Sequence, residues 1–136
     1  MRHLNRLQPV ALLVLRVVLG FIFLMHGKAK IFGGMTHHLD MVAGLGMPRW
    51  MGYLSASTEF FGGILLIGGL LTRLVGIAGC IEMCIAIAKV HFKNGLIGQG
   101  GYELPLALAA INFALIWFGA GPISLDWLFS GHKGRG

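Results

Sequence analysis

The sequence is short, apolar and basic. It has 136 residues, of which 56% are hydrophobic and 12% charged, with a formal net charge of +6. Soluble domains carry about a quarter charged residues, so this composition excludes a disordered chain and argues against a soluble fold. The basic residues lie mostly at the ends of apolar stretches and form no aromatic-interleaved face, which argues against nucleic-acid binding. A single transmembrane domain spanning 1–136, in contact with the lipid bilayer, is predicted.

Four apolar segments are each long enough to form a transmembrane helix, which takes roughly 17 to 25 residues. They are predicted at about 10–32, 51–71, 74–92 and 102–120. The first could be mistaken for a secretory signal, but it is long, contains Arg16 and leads to no small-x-small cleavage site. It is therefore interpreted as a retained helix.

The connection between the first two helices is too long for a tight turn. Thr36 can cap a short helix there, and apolar residues recur at helical spacing until glycines and Pro48 end it. A helix at about 36–45 is predicted to lie in the membrane interface, with His37 and His38 solvated. The predicted fold is thus an all-α integral membrane protein, an antiparallel four-helix transmembrane bundle with a short interfacial helix in its first long loop.

The loop charges predict an orientation. Four spanning helices place both termini on one side of the membrane. Five clear loop cations lie on that side and two on the other: Arg2, Arg6, Arg73, Lys133 and Arg135 against Arg49 and Lys93. Cytoplasmic loops carry the excess of Lys and Arg, so the termini are predicted to be cytoplasmic.

Ionisable residues gather at one depth of this bundle. Glu59 lies about eight residues into the second helix, roughly 12 Å below the outer surface at 1.5 Å per residue. A charge in hydrocarbon costs at least about 2.5 kcal/mol, so such groups are expected to turn inward and pair. We call the six groups in the outer half the outer cluster: His26, Lys30, Glu59, Lys89, His91 and Glu103.

The outer cluster has two interpretations that the residues alone leave open. It is either a packing network that fixes helix register or a site that handles a substrate or protons. For Arg16, Arg73 and Asp126, near the inner headgroups, a structural pairing is favoured. Glu82 falls near mid-membrane, outside the outer cluster.

Several kinds of chemistry lack their motifs. The outer cluster lacks the H-E-x-x-H and E-x-x-H spacings, so no metal site is predicted. Nucleotide-binding glycine motifs and a C-x-x-C-H haem site are also missing from the sequence, so no covalently bound cofactor is predicted. Cys80 and Cys84 are expected to be small buried apolar residues rather than a redox pair.

The order and spacing of several motifs resemble the DoxX family of small bacterial membrane proteins. The likeness covers nearly the whole chain. Its pieces are Arg16-x3-Gly20, His26-Gly27-x2-Lys30, Glu59-x2-Gly62-Gly63, Gly69-Leu70-Leu71-Thr72-Arg73, then His91, Glu103 and Gly119-x-Gly121-Pro122-x-Ser124-Leu125-Asp126.

The resemblance implies a multi-pass protein of the bacterial inner (plasma) membrane and a link to oxidoreduction. The family is related to the membrane subunit of a thiosulfate–quinone oxidoreductase. It implies a quinone-linked oxidoreductase component that binds a quinone or similar small molecule at the outer cluster. The candidate binding residues are His26, Lys30, Glu59, His91 and Glu103; a catalytic role is left open among His26, Glu59 and His91.

A quinone headgroup needs hydrogen-bond partners and a proton source, and histidine, which titrates near neutral pH, suits proton delivery. The sequence shows no redox centre, so a partner subunit or a diffusible reductant is expected to supply electrons. The alternatives are a non-catalytic membrane subunit or assembly factor, and a small-molecule carrier. The glycine-rich helix faces can meet within one bundle or between copies, which leaves a homo-oligomer open.

Overall fold

A computed structural model describes residues 1–131, and in that range the secondary structure is entirely helical. Lys133 and Arg135, which enter the charge count above, lie outside the described residues. The α-helices in the described range are α1 (Arg2–Asn5), α2 (Gln8–Ala29), α3 (Met35–Gly44), α4 (Met51–Gly68), α5 (Thr72–Ala86), α6 (Glu103–Phe118) and α7 (Leu125–Phe129).

Two of the long helices end in a widened π-helical turn. After α2 the chain continues through the π turn Lys30–Gly34, and after α5 through the π turn Ile87–His91 and the 3-10 turn Phe92–Asn94. The predicted helices at 10–32 and 74–92 had included much of these turns. A π turn closes its hydrogen bonds over five residues and occurs frequently at functional sites.

Helix α4 stops at a glycine cap. It ends at Gly68, short of the predicted residue 71, because Gly69 adopts a left-handed conformation with φ of 72°. The amide of Leu70 then donates to the carbonyl of Leu65 at 2.9 Å, the hydrogen bond typical of a Schellman cap. The cap turns the chain directly into α5.

Close glycine contacts bring α2 against α4. A Cβ atom on Gly63 would lie 2.6 Å from the carbonyl oxygen of Gly20, and one on Gly27 would collide with the backbone of Phe60. Helix α5 packs similarly on α6, where Gly79 faces the side chain of Asn112. Contacts between α4 and α5 and between α2 and α6 complete the packing.

The buried core is apolar, and so is much of the outer surface. Leu19, Phe23, Leu66, Leu108 and Leu115 are among the buried residues between the helices, while many large apolar side chains point outward. Two continuous helical stretches, Gln8–Gly44 and Thr72–Asn94, are long and apolar enough to cross a membrane; Glu103–Phe118 is apolar but shorter.

Candidate functional site

A cavity of about 760 Å³ lies at the end of the molecule that carries the two π turns and α3, and residues of all three line it. We call it the outer cavity. Its lining comes from α2, α4, α5 and α6, and also from α3 and the loop that follows it. The lining is mostly apolar and includes four methionines, at positions 41, 47, 51 and 83. Methionine adapts to ligand shape and makes favourable contacts with aromatic rings.

An ion pair crosses one wall of the outer cavity. Lys30 Nζ lies 2.6 Å from Glu59 Oε2, and the Glu59 residue is only 4% exposed. Lys30 belongs to the first π turn and Glu59 to α4, one turn before Gly63, which packs against the backbone of α2. The glycine contact therefore sets the helix spacing that this pair spans. Both residues are in the candidate binding set.

A second polar pair involves Glu82, which the sequence had placed outside the outer cluster. Ser55 Oγ donates to Glu82 Oε1 at 2.6 Å. Ser55 lies one turn before Glu59 on α4, so both carboxyl groups line the same cavity. Glu82 Oε2 is buried without a hydrogen-bond partner. In the sequence, Ser55 and Glu59 lie one turn apart and so share a face of the second helix. A neutral serine in an apolar run does not indicate a carboxyl partner, so this spacing did not place Glu82 at the site.

The expectation that His38 is solvated was wrong. His38 is 6% exposed and lines the outer cavity, and its Nε2 has no hydrogen-bond partner. The cause is the packing of α3 on the start of α4, where a Cβ on Gly52 would lie 2.6 Å from Leu39 Cδ2. Apolar Leu39 and Val42 share this protein-facing side of α3 with His38; the neighbouring His37 is exposed.

The other outer-cluster residues divide into two groups. His26, Lys89 and His91 also line the outer cavity, whereas Glu103 is exposed and is not part of its lining. The rings of His26 and His91 already bond backbone carbonyls, since each Nδ1 lies 2.8 Å from one, that of Ile22 and of Gly100 respectively.

At the opposite end, charged side chains bind backbone groups. The predicted pairing among Arg16, Arg73 and Asp126 was wrong: within residues 1–131 they form no ion pair with one another. Arg16 instead donates at 2.6 to 2.9 Å to the carbonyls of Leu66, Ala120 and Ile123. Asp126 accepts from the amides of Leu71 and Thr72, and Arg73 donates to the carbonyls of Ile116 and Trp117. Helix ends leave such backbone groups without partners, so a charged side chain can bind them in place of an oppositely charged one.

A second cavity, of about 590 Å³, lies beside these residues. Its charged side chains, Arg73 and Asp126, already bond backbone groups, so the outer cavity is the better candidate site. In the described range no three His, Cys, Asp or Glu side chains lie together in a way that could hold a metal ion. Cys80 is half-buried and Cys84 is exposed on α5, so the expectation that both are buried was wrong for Cys84.

Comparison with known proteins identifies relatives over most of the chain. It is 34% identical to a Bacillus subtilis protein named "Putative oxidoreductase CatD" over 131 residues, covering 96% of each chain. Two uncharacterized Haemophilus influenzae proteins are 33% and 30% identical, covering 93% and 88% of this chain and 96% and 83% of their own. No solved structure matches. Residues 11–92, more than half of the chain, match the DoxX family, to which this protein belongs.

Proposed function

We propose that this protein is a multi-pass membrane component of a quinone-linked oxidoreductase that binds a quinone, or a similar small ring compound with carbonyl oxygens, in the outer cavity. The observation that carries the proposal is an apolar, methionine-lined cavity whose lining includes His38 and Glu82, each of which has a buried polar atom without a hydrogen-bond partner, Nε2 and Oε2 respectively. Membership of a membrane-associated family and the printed name of the Bacillus subtilis relative support the oxidoreductase class.

The membrane arrangement that we propose is four spanning helices, α2, α4, α5 and α6, with both termini in the cytoplasm. Helices α4 and α6 have 18 and 16 residues, or about 27 and 24 Å of helix at 1.5 Å per residue. These lengths approach the roughly 30 Å hydrocarbon core of a bilayer. Exposed apolar side chains on these helices, such as Phe21, Phe61, Ile81 and Phe113, would then contact lipid.

The outer cavity suits a quinone headgroup in size and chemistry. Its volume of about 760 Å³ lies within the usual range for small-molecule sites, about 300–1,000 Å³. A buried polar atom without a partner costs about 1–3 kcal/mol. A flat ligand that carries two oxygen atoms can satisfy both His38 and Glu82, while the methionines contact its ring.

The residues of the site would have distinct roles. Lys30 and Glu59 compensate each other's charge and hold α2 to α4 at the cavity wall. His38 and Glu82 contact the oxygen atoms of the ligand. A bound quinone accepts two electrons and two protons, and we expect a partner subunit or a diffusible reductant to supply the electrons.

The proposal is tested by looking for the ligand and then filling its site. The protein is purified in mild detergent and extracted, and quinones are sought by mass spectrometry; duroquinone (tetramethyl-1,4-benzoquinone) is then titrated. Ala86 lines the outer cavity, so Ala86→Phe is expected to weaken duroquinone binding at least about tenfold, a loss of about 1.4 kcal/mol. Ala110→Phe, on the exposed side of α6, is the matched control and should bind normally.

Two results would contradict the proposal. The first is that no quinone co-purifies and duroquinone does not bind at any workable concentration. The second is that Ala86→Phe and Ala110→Phe bind duroquinone equally well. In either case the alternatives remain: a structural subunit or assembly factor whose polar groups hold the helices together, or a carrier of some other small molecule.

A further inference from the structure

The outer cavity has more buried carboxyl groups than cations that could pair with them. Two carboxyl groups face it, those of Glu59 and Glu82, and the half-buried Lys30 is bonded to Glu59. The remaining cations of the lining are further out or already engaged: Lys89 is exposed, and the rings of His26 and His91 bond backbone carbonyls. Among the described residues, Glu82 therefore has no cation of its own.

The burial of Glu82 and the neighbouring Glu59 carboxyl group favour the neutral form of its side chain. An uncompensated carboxylate in an apolar interior is very unfavourable, and such a group binds a proton instead. The Ser55 hydroxyl donates to Glu82 Oε1, which leaves Oε2 as the atom that carries the proton. Oε2 is buried and accepts no hydrogen bond from the protein. The Glu59 carboxyl group lies close enough to hydrogen-bond with that of Glu82. The proton of Glu82 can therefore be shared with Glu59 or given to an acceptor that binds in the outer cavity, which both residues line.

We propose that the neutral carboxyl group of Glu82 donates a hydrogen bond to a carbonyl oxygen of the ligand, so that the outer cavity selects ring compounds that carry an acceptor on the side of α5. This inference rests on the proposed function and identifies the group that recognises the substrate. His38 Nε2, equally buried and unpartnered, contacts the second oxygen of the ligand. Buried carboxylic acids that stay neutral serve elsewhere as hydrogen-bond donors to ligand oxygens.

Infrared difference spectroscopy tests the protonation directly. In the full-length protein at neutral pH, the carbonyl stretch of a protonated carboxylic acid is expected in the wild type and in Glu103→Gln, whose carboxyl group is exposed. It should be absent in Glu82→Gln. Ser55→Ala removes the hydrogen bond to Oε1 and should shift the same band, which provides a second assignment if Glu82→Gln folds poorly. Lack of any such band assignable to Glu82 would overturn the inference.

Ligand binding tests the contact. Duroquinone should shift the Glu82 band, whereas 1,2,4,5-tetramethylbenzene, which has the same carbon skeleton without the oxygens, should not. Glu82→Leu should weaken duroquinone binding about tenfold or more, the loss expected for one buried hydrogen bond, and leave tetramethylbenzene binding unchanged. Glu82→Gln keeps an N–H donor and should retain most of the preference for duroquinone.

The outcomes distinguish the two proposals. If duroquinone binds and Ala86→Phe weakens it, but the Glu82 band does not move and Glu82→Leu binds normally, the proposed function stands and this inference is refuted. If duroquinone does not bind at all, both the proposed function and the ligand contact of Glu82 are refuted. The band in the ligand-free protein still decides separately whether Glu82 is protonated.

Discussion

Substitution of Gly63 by alanine should separate α2 from α4. A Cβ at this position would lie 2.5 Å from the backbone nitrogen of Leu24, 2.6 Å from the carbonyl oxygen of Gly20 and 2.9 Å from Leu24 Cα. Favourable contacts between carbon atoms lie at about 3.5–4.0 Å. All three obstructing atoms belong to the backbone of α2, so no side-chain rotation relieves the overlap, and one helix must move by about 1 Å to restore contact distances near that range.

The cost follows from that displacement. Overpacking typically destabilises a core by about 1–3 kcal/mol, and a backbone obstruction places Gly63→Ala at the upper end. Alanine recovers about 1 kcal/mol through its higher helix propensity. We therefore expect a net destabilisation of about 2 kcal/mol, together with a longer distance between Lys30 and Glu59, which the same helix spacing sets.

Gly68→Ala is the matched control on the same helix. Its Cβ would meet only Leu125 Cδ1 at 3.4 Å, an ordinary contact, so this variant should gain up to about 1 kcal/mol from helix propensity. Thermal unfolding in detergent, followed by helical circular dichroism, should place Gly63→Ala roughly 10 °C below Gly68→Ala. If the two variants melt at the same temperature, the glycine contact does not set the spacing of α2 and α4.

Two further predictions concern the end of the molecule opposite the outer cavity and the proposed lipid-facing surface of α5. Arg16→Lys keeps the charge but cannot reach three carbonyls with one ammonium group, so it should lower the free energy of unfolding by about 2 kcal/mol; equal melting of Arg16→Lys and the exposed control Arg6→Lys would refute this role. Cys84 is exposed on α5 and should react in intact vesicles with a lipid-soluble maleimide but not with a charged thiol reagent. Rapid reaction with the charged reagent would contradict a lipid-facing position.

The sequence was most informative about where the long helices lie and which of their faces pack together, because an apolar run or a glycine-rich face indicates each of these. Gly20 and Gly27 of the glycine-rich face of α2 pack against α4, and Lys30, in the π turn that follows α2, bonds Glu59 at 2.6 Å. Long apolar runs also indicate where helices lie. Their exact ends depend on hydrogen bonds that tertiary contacts select, such as the π turns and the cap at Gly69, and periodicity carries little information about them.

The missed residues share a different cause. His38 lies on a short helix in a connection, and the direction in which that helix folds depends on Leu39 meeting Gly52, a contact between separate segments. Glu82 appeared isolated because its partner, Ser55, is an uncharged residue on another helix. Arg16 was expected to need an acidic partner because counting charges ignores the backbone carbonyls that helix ends expose.

The two π turns have an evolutionary consequence. A π turn amounts to a single residue inserted into an α-helix, and deleting that residue restores regular winding. Lys30–Gly34 and Ile87–His91 both border the outer cavity, so a relative that lacks one residue in either stretch should have a straighter helix and a different cavity mouth. One-residue gaps at these two positions would therefore separate DoxX proteins by the shape of the outer cavity before any change in its polar residues.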